Sequence, residues 1–344
     1  MNELLKNLTE AVGVSGDEKE VRLLIRDLIS DHVDSWEVDT MGNLIALKKG
    51  TGASDLRILV DAHMDEVGLI ITDVGSDGAI KFNTIGGFDD RALLSKVVQI
   101  GPKKIIGVIG AKPVHLLSQA ERARVVKMDT MRIDVGAKKG LSSKIKVGDR
   151  AAFVTKYEEL GGTAVGKAFD NRAGCAALIE LLRAAPYPFD LYAAFTVQEE
   201  VGLRGAQIAA YRIKPDLALV LECTPAYDLP TKEDVSPNVA LGKGPSVYVM
   251  DSGTIQDPRL VAHITKTAAA HNIPYQIRRP GGGGTNTAVI QRSQAGVSAA
   301  TIAVPGRYAH TPSMMISLED YANVVKLAEA TLRDLKPETI KRNM

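Results

Sequence analysis

Leu191-Tyr-Ala-Ala-Phe-Thr-Val197 runs directly into Gln198-Glu199-Glu200, a short, largely apolar stretch that ends on two adjacent acids. Four other stretches end in a similar way. Arg57-Ile-Leu-Val-Asp-Ala62 meets His63, Ala164-Val-Gly-Lys-Ala-Phe169 meets Asp170, and Leu217-Ala-Leu-Val-Leu221 meets Glu222. Val297-Ser-Ala-Ala-Thr-Ile-Ala-Val304 leads through Pro305-Gly-Arg-Tyr-Ala309 to His310. Apolar runs of this length, separated by helical patterns, are expected to be buried strands of a largely parallel sheet. In an open α/β sheet the ligand crevice lies beyond the carboxyl ends of the strands. Residues far apart in sequence would then converge on one rim. Two histidines and several carboxylates there make a mixed nitrogen and oxygen site suited to zinc, cobalt or manganese.

Upstream, Ser15-Gly16-Asp17-Glu18 has the form of a capping box. It would open a helix with Val21, Leu24, Ile25 and Leu28 at the helical period. Trp36 to Val38 and Leu44 to Leu47 flank the turn signal Met41-Gly42-Asn43 and predict a β-ribbon. From about Leu69 to Gly161 the texture changes to short β-type runs between glycine-containing turns. These runs are Leu69–Thr72, Ala79–Phe82, Lys96–Ile100, Ile105–Ile109, Met131–Val135 and Arg150–Val154, a pattern of a small barrel or sandwich. The α/β pattern then returns, with a helix after Asp170 carrying Ala176, Ala177, Leu178, Leu181 and Leu182. A last helix begins near Ser317, with Tyr321, Val324, Val325, Ala328 and Leu332 on one face. The expected organisation is one α/β domain, residues 1–68 and 162–344, interrupted by a β-insertion over 69–161.

At 344 residues the chain exceeds the size at which a single core keeps growing. A hydrophobic fraction of 45% and a charged fraction of 24% are those of an ordinary soluble globular protein. Formal net charge of +1 gives no electrostatic footprint for nucleic acid or an anionic membrane. Cys175 and Cys223 form no CxxC pair, which suits a reducing cytosol. Met1 to Leu8 reads as an amphipathic helix start rather than a signal sequence, and no segment is long enough to span a bilayer. A cytoplasmic protein is expected.

Each site residue taken singly has an ordinary reading. Asp170 could cap a helix, Glu222 and His310 could be loop residues, and His63 could be a buried histidine beside Asp65. Their common place at strand ends is what gives them weight. In His63-Met64-Asp65 the spacing allows the carboxylate to accept from one ring nitrogen while the other binds a metal, fixing the tautomer. Glu199 and Glu200 are costly after an apolar strand unless partnered, and adjacent residues point in different directions. One can ligate a metal while the other faces substrate as a general base. Gly281 to Gly284 lacks the lysine of a phosphate loop and reads as backbone approaching a ligand or a neighbour. Cys223 reads as a small buried hydrophobe. His32, His115, His263 and His271 read as structural.

Four segments together resemble the tetrahedral (TET) and glutamyl-type dinuclear metallo-aminopeptidases, some members of which carry the name endoglucanase. They are His63-Met-Asp-Glu-Val-Gly68, Gly166-Lys-Ala-Phe-Asp-Asn-Arg172, Gln198-Glu-Glu-Val-Gly-Leu-Arg-Gly-Ala206 and Arg307-Tyr-Ala-His-Thr311. The likeness extends over essentially the whole chain, including Lys112-Pro-Val-His-Leu-Leu117 of the insertion. It implies a zinc-peptidase-like sheet sandwiched by helices and two divalent ions, zinc or cobalt before manganese. Asp170 would bridge them, with His63 and Glu222 on one and Glu200 and His310 on the other. Glu199 would be the general base, Asp65 would orient His63, and the barrel would be a dimerisation domain from which dimers build a tetrahedral dodecamer. Two positions depart from the family. Glu222 stands where aminopeptidases of this kind usually have Asp and related carboxypeptidases have Glu. Asn286 replaces the acid of a Gly-Gly-Thr-Asp loop, removing a negative charge from the substrate region.

The expected function is hydrolysis of N-terminal residues from short peptides by a metal-bridging hydroxide, with Glu199 taking the water's proton. The rivals are a dinuclear hydrolase of another amide (an N-acyl amino acid or amino-sugar deacylase, or a carboxypeptidase-like enzyme) and a non-catalytic metal-binding assembly protein. An endoglucanase fits least, because its pair of acids needs no metal.

Overall fold

Four of the five apolar runs pack side by side at the centre of one sheet. The computed structural model describes residues 2–136, 144–184, 186–229 and 239–341. Its first three strands are β1 (Ser35–Val38), β2 (Leu44–Lys48) and β3 (Arg57–His63). Six follow in the insertion: β4 (Gly68–Val74), β5 (Ile80–Ile85), β6 (Val97–Ile100), β7 (Ile105–Gly110), β8 (Arg132–Asp134) and β9 (Arg150–Phe153). The remainder are β10 (Glu158–Leu160), β11 (Thr163–Gly166), β12 (Asp190–Thr196), β13 (Leu217–Pro225), β14 (Ser246–Tyr248), β15 (Gln276–Arg278), β16 (Ser298–Arg307) and β17 (Met314–Ser317).

The large sheet runs β1-β2-β12-β3-β13-β16-β17-β11-β10, with β14 pairing β16 and β15 pairing β14. Its middle, β12-β3-β13-β16, is parallel. These are the strands whose residues are apolar almost without interruption, as burial on both faces requires. On one face the helix Phe169–Arg183 covers the sheet, and the helices Asn2–Glu10 and Leu318–Arg333 pack against it. On the other, Ala206, Ala209 and Ala210 of the helix Arg204–Ile213 meet Leu59, Ala194 and Val220. Ser317 caps the last long helix by accepting from the Asp320 N–H at 3.2 Å.

The stretch Ala164 to Phe169 does not behave as the other runs do. Its strand stops at Gly166 and pairs antiparallel with β17, which itself pairs antiparallel with β16. Two reversals restore the direction, so β11 still delivers its carboxyl end to the shared rim.

The six β-type runs of the insertion form a closed antiparallel barrel in the order β4-β5-β8-β7-β6-β9. Leu69, Ile71, Phe82, Val98, Ile109, Ile133 and Phe153 fill it as a core of its own.

The expected capping box is not formed. The helix begins at Lys19, with Glu18 at the cap position and no side-chain cap bond. Val14 bridges to Glu66, which pulls Ser15 out of line with the helix. Its hydroxyl donates instead to Asp65 at 2.6 Å, and Glu18 accepts from the Gly16 N–H. Among the described residues no helix is long and apolar enough to cross a membrane.

Candidate active site

The rim brings His63, Asp170, Glu199, Glu200, Glu222 and His310 into one cavity of about 1010 Å³. Strand register explains part of this. Asp61 of β3 lies beside Val220 of β13, so two residues further along, His63 and Glu222 fall side by side on the same face. The His63 Nε2 stands 3.6 Å from Glu222 Oε2 and 3.3 Å from Asp170 Oδ1. The other Asp170 oxygen, Oδ2, faces His310 Nε2 at 3.7 Å, and Glu200 Oε2 lies 3.4 Å from that same nitrogen. Ligand atoms of His63, Asp170 and Glu222 therefore cluster, as do those of Asp170, Glu200 and His310. Asp170 belongs to both clusters.

These separations exceed the usual 2.7–2.9 Å of a charge-assisted hydrogen bond. Donors held about 2.0–2.2 Å from one tetrahedral cation sit about 3.3–3.6 Å from each other. The spacing fits donors around a metal better than donors bonded to one another. Among the described residues Glu222 Oε1 is buried with no hydrogen-bond partner, an orphaned oxygen that a cation would satisfy. A third cluster, His63 with Glu199 and Glu200, shows that Glu199 reaches the same space.

Burial first, and then neighbouring carboxylates, raise Glu199 and Glu200 well above the ordinary glutamate value. Burial also raises Glu222, with Asp170 adding to it and His63 opposing. Burial alone would lower His63, yet Glu222 and Glu199 hold it well above its ordinary value. Four acids gathered without a permanent cation among them are electrostatically incomplete, and a bound divalent ion would reverse these directions.

Asp65 is more than a partner of one histidine. Its Oδ1 is 3.3 Å from His63 Nδ1 and accepts from the Glu199 N–H at 3.0 Å. Its Oδ2 accepts from the Ser15 hydroxyl and from the Glu200 N–H at 3.2 Å. Burial would raise Asp65, but His63 and Ser15 bring it below the usual carboxylate value. One side chain thus fixes the backbone of both rim glutamates. The turn beyond them is tight, since the Gly202 and Leu203 N–H groups both donate to Glu199 O at 2.9 Å. Gly205 closes it, where a Cβ would lie 2.3 Å from Asn43 Oδ1 and 2.4 Å from Val197 O.

His310 follows β16 in a left-handed conformation, φ 58°, and its Nδ1 meets Gly87 O of the β5–β6 connection at 3.1 Å. The insertion therefore touches the site through a backbone carbonyl. His310 is 42% exposed and His63 1%, so the two clusters differ in their access to solvent.

Several expectations change here. Asp170 is not a helix cap; Ala168 holds that position, and Asp170 and Asn171 have non-helical dihedrals. Asn286 does not face the substrate region. It is fully buried and donates to Asp61 Oδ2 at 2.8 Å and to Thr196 Oγ1 at 3.0 Å, tying β3 to β12 beneath the rim. Cys223 lines the cavity but joins no ligand cluster. His263 and His271 lie outside the site, against Thr331 O and Asp334. Sequence reasoning missed Glu66, Lys167 and Arg172. Lys167 Nζ donates to both Glu66 oxygens at 2.7 and 2.8 Å, and Arg172 donates to Glu66 at 3.1 Å, all buried.

This doubly covered sheet, with a barrel inserted after β3, is shared with solved aminopeptidases, hydrolases of peptide bonds. The chain belongs to the M42 glutamyl aminopeptidase family, whose profile matches residues 42–327. A lysyl aminopeptidase of Pyrococcus furiosus is 32% identical, covering 97% of each chain. The structure of an aminopeptidase from the archaeon Desulfurococcus kamchatkensis superposes with a TM-score of 0.93 at 36% identity, over 99% of this chain and 96% of that one. The TET1 peptidase of Pyrococcus horikoshii, which can assemble into a tetrahedron or a large octahedral shell, gives 0.86 at 33% identity, over 97% and 99%.

Proposed function

We propose that this enzyme is a dinuclear metal-dependent aminopeptidase that trims short peptides in the cytosol, with Glu199 as its general base. The observation that carries the reading is Asp170, whose two oxygens face different histidines. His63, Asp170 and Glu222 would hold one divalent ion, and Asp170, Glu200 and His310 the other. The mixed donors suit zinc or cobalt first, and manganese also. Bound there, the ions would polarise the scissile carbonyl and make a water acidic near neutral pH.

The chain's own residues supply the rest. Glu199 ligates in neither of those two clusters, so its carboxylate is free to take a proton from the attacking water and return it to the leaving amine. Asp65 is a positioning residue that holds the Glu199 and Glu200 backbone and faces His63. The carboxylates around the cavity offer a place for a substrate's α-amino group, which would confine cleavage to the first residue.

The test uses one tetrapeptide in free, N-acetylated and C-amidated forms, incubated with metal-loaded enzyme, with mass spectrometry identifying the first residue released. Acetylation is expected to abolish cleavage and amidation to matter little. C-terminal release from the acetylated peptide would instead assign a carboxypeptidase-like site. Glu199→Gln should keep metal and substrate while turnover falls by roughly 10²–10⁴.

The same reading extends to assembly. Residues 69–161 would form the dimer contact, and dimers would close into a dodecamer. Val97, Ile106, Val108, Val114 and Leu116, all exposed in this segment, support it, as does the assembly of the Pyrococcus horikoshii relative. Light scattering of active enzyme checks it; monomer alone over the micromolar range would sink it.

A further inference from the structure

The two histidines of the rim are oriented by different means. The His63 ring faces the carboxylate of Asp65, just beyond its own strand. His310 has no such acid on its Nδ1 side. It stands exposed in a turn where Tyr308 and His310 itself are left-handed. The hydroxyl of that turn, on Thr311, bonds to the carbonyls of Tyr308 and Ser313 and not to the ring. Among the described residues the one partner of His310 Nδ1 is the Gly87 carbonyl, at 3.1 Å. A carbonyl oxygen only accepts, so Nδ1 carries the proton. Nε2, which faces Asp170 and Glu200, then keeps its lone pair for a metal.

Gly87 belongs to the inserted barrel. Its connection leaves β5, where Ile85 pairs with Gly68, and enters a helical turn at Asp90–Ala92. Asp89 caps that turn by accepting from the Arg91 N–H at 2.9 Å. Gly86 has φ 79°, and a Cβ there would lie 2.6 Å from Val67 Cγ1 and 3.5 Å from Glu200 Cβ. The connection thus passes against both Glu200 and His310, the two ligands that Asp170 would join around the more exposed ion. Next to Gly87 is Phe88, which packs on the barrel core with its ring 5.5 Å from that of buried Phe153. We propose that Phe88 is a positioning residue for that ion: clamped to the barrel core, it holds the Gly87 carbonyl where the carbonyl sets the tautomer and rotation of His310. This rests on the dinuclear reading of the same site, and it gives the barrel a part in metal binding besides any dimer contact.

Chelated parent protein titrated with Co²⁺ should show two binding steps per chain by calorimetry, and His310→Ala identifies the step that belongs to the exposed cluster. Phe88→Ala should weaken that step by roughly 10–100-fold, the usual cost of disturbing a ligand's outer hydrogen-bond partner. It should also alter the visible absorption of the cobalt bound in that step, and leave the His63 step within a few-fold. Phe88→Leu keeps an apolar contact with Phe153 and should show the same selectivity at smaller amplitude, which carries the test if the alanine variant does not fold. Two unchanged steps, or equal weakening of both, would overturn the assignment while the two steps of the parent uphold the dinuclear reading. A parent chain that takes up a single ion overturns that reading, and this assignment with it.

Discussion

Two buried charge clusters meet at the end of β3, and they are built on opposite principles. Beneath the rim, Glu66 is enclosed by Lys167, Arg172 and the Gly13 N–H. Its charge is answered by the chain itself, and Arg172 also donates to the carbonyls of Met64 and Ala11, fastening the first helix to the sheet. Above the rim, Asp170, Glu199, Glu200 and Glu222 share a cavity with two imidazoles, and three of the four acids are pushed well above or above their ordinary values. The lower cluster is complete and closed to solvent. The upper one opens to solvent, and its four acids outnumber the two imidazoles beside them. A chain that carries counter-ions where charge is structural, and omits them at a cavity, leaves that place for a ligand.

The largest effect expected from this contrast is on the lower cluster. Glu66→Gln strands two buried cations and should cost about 3–5 kcal/mol of folding stability, as removal of one partner from a buried ion pair does. Burial already lowers Lys167 to about 8, so the variant should also shed that proton more readily. Urea unfolding measures the loss; a change below about 1 kcal/mol, the scale of an exposed pair, would erase the distinction between the clusters. Next in size is Asp170→Ala, which should weaken both metals together while leaving the apo fold intact. In the parent protein the cluster at exposed His310 should release its ion to a chelator before the cluster at buried His63. Mass spectrometry of native protein counts the ions, and two ions of unchanged affinity in the variant would refute the bridge.

Much of this arrangement was legible in the sequence. The central strands could be read because burial on both faces leaves β3, β12, β13 and β16 nearly free of polar interruptions. The convergence of His63, Asp170, Glu199, Glu200, Glu222 and His310 followed from where strands of such a sheet end. What could not be read was non-local pairing. Ser15 and Glu18 satisfy a local capping pattern, but Ser15 is taken by an aspartate 50 positions away. Glu66, Lys167 and Arg172 stood inside the quoted segments, yet nothing periodic links residues separated by 101 and 106 positions.

The upper cluster should also announce itself in the pH dependence of stability. Glu199, Glu200 and Glu222 have folded-state pKa values above their ordinary 4.5. Above that pH the folded protein therefore binds more protons than the unfolded chain, and stability falls as pH rises. His63 acts in the same sense, because its raised value stabilises the fold below 6.5 and that contribution is lost as pH climbs through the folded pKa. Each such proton contributes a slope of at most about 1.4 kcal/mol per pH unit. Chelated protein should lose melting temperature from pH 5 to 8, and metal-loaded protein should lose much less. Parallel profiles for the two forms would mean that the acids above the rim are answered by something other than a cation.

The smallest effect tests the neutral joint between the clusters. Asn286 donates one amide to Asp61 and Thr196, and burial raises Asp61 to about 7 despite those two bonds. Asn286→Asp would set a second carboxylate against the first in the same buried space. Two acids so close resist ionising together, so the pair keeps one proton to a higher pH than Asp61 would alone. At pH 5 a shared proton should preserve a hydrogen bond between them, and the variant should melt close to the parent. As pH rises past 7 that proton is drawn away, the pair repels, and the variant should fall behind by about 1–3 kcal/mol, the cost of a buried group left unsatisfied. Because the joint ties β3 to β12 just below His63 and Glu199, the same pH rise should lower kcat more than it alters KM. A variant indistinguishable from the parent across pH 5 to 9 would show that the amide at 286 is not what holds these two strand ends together.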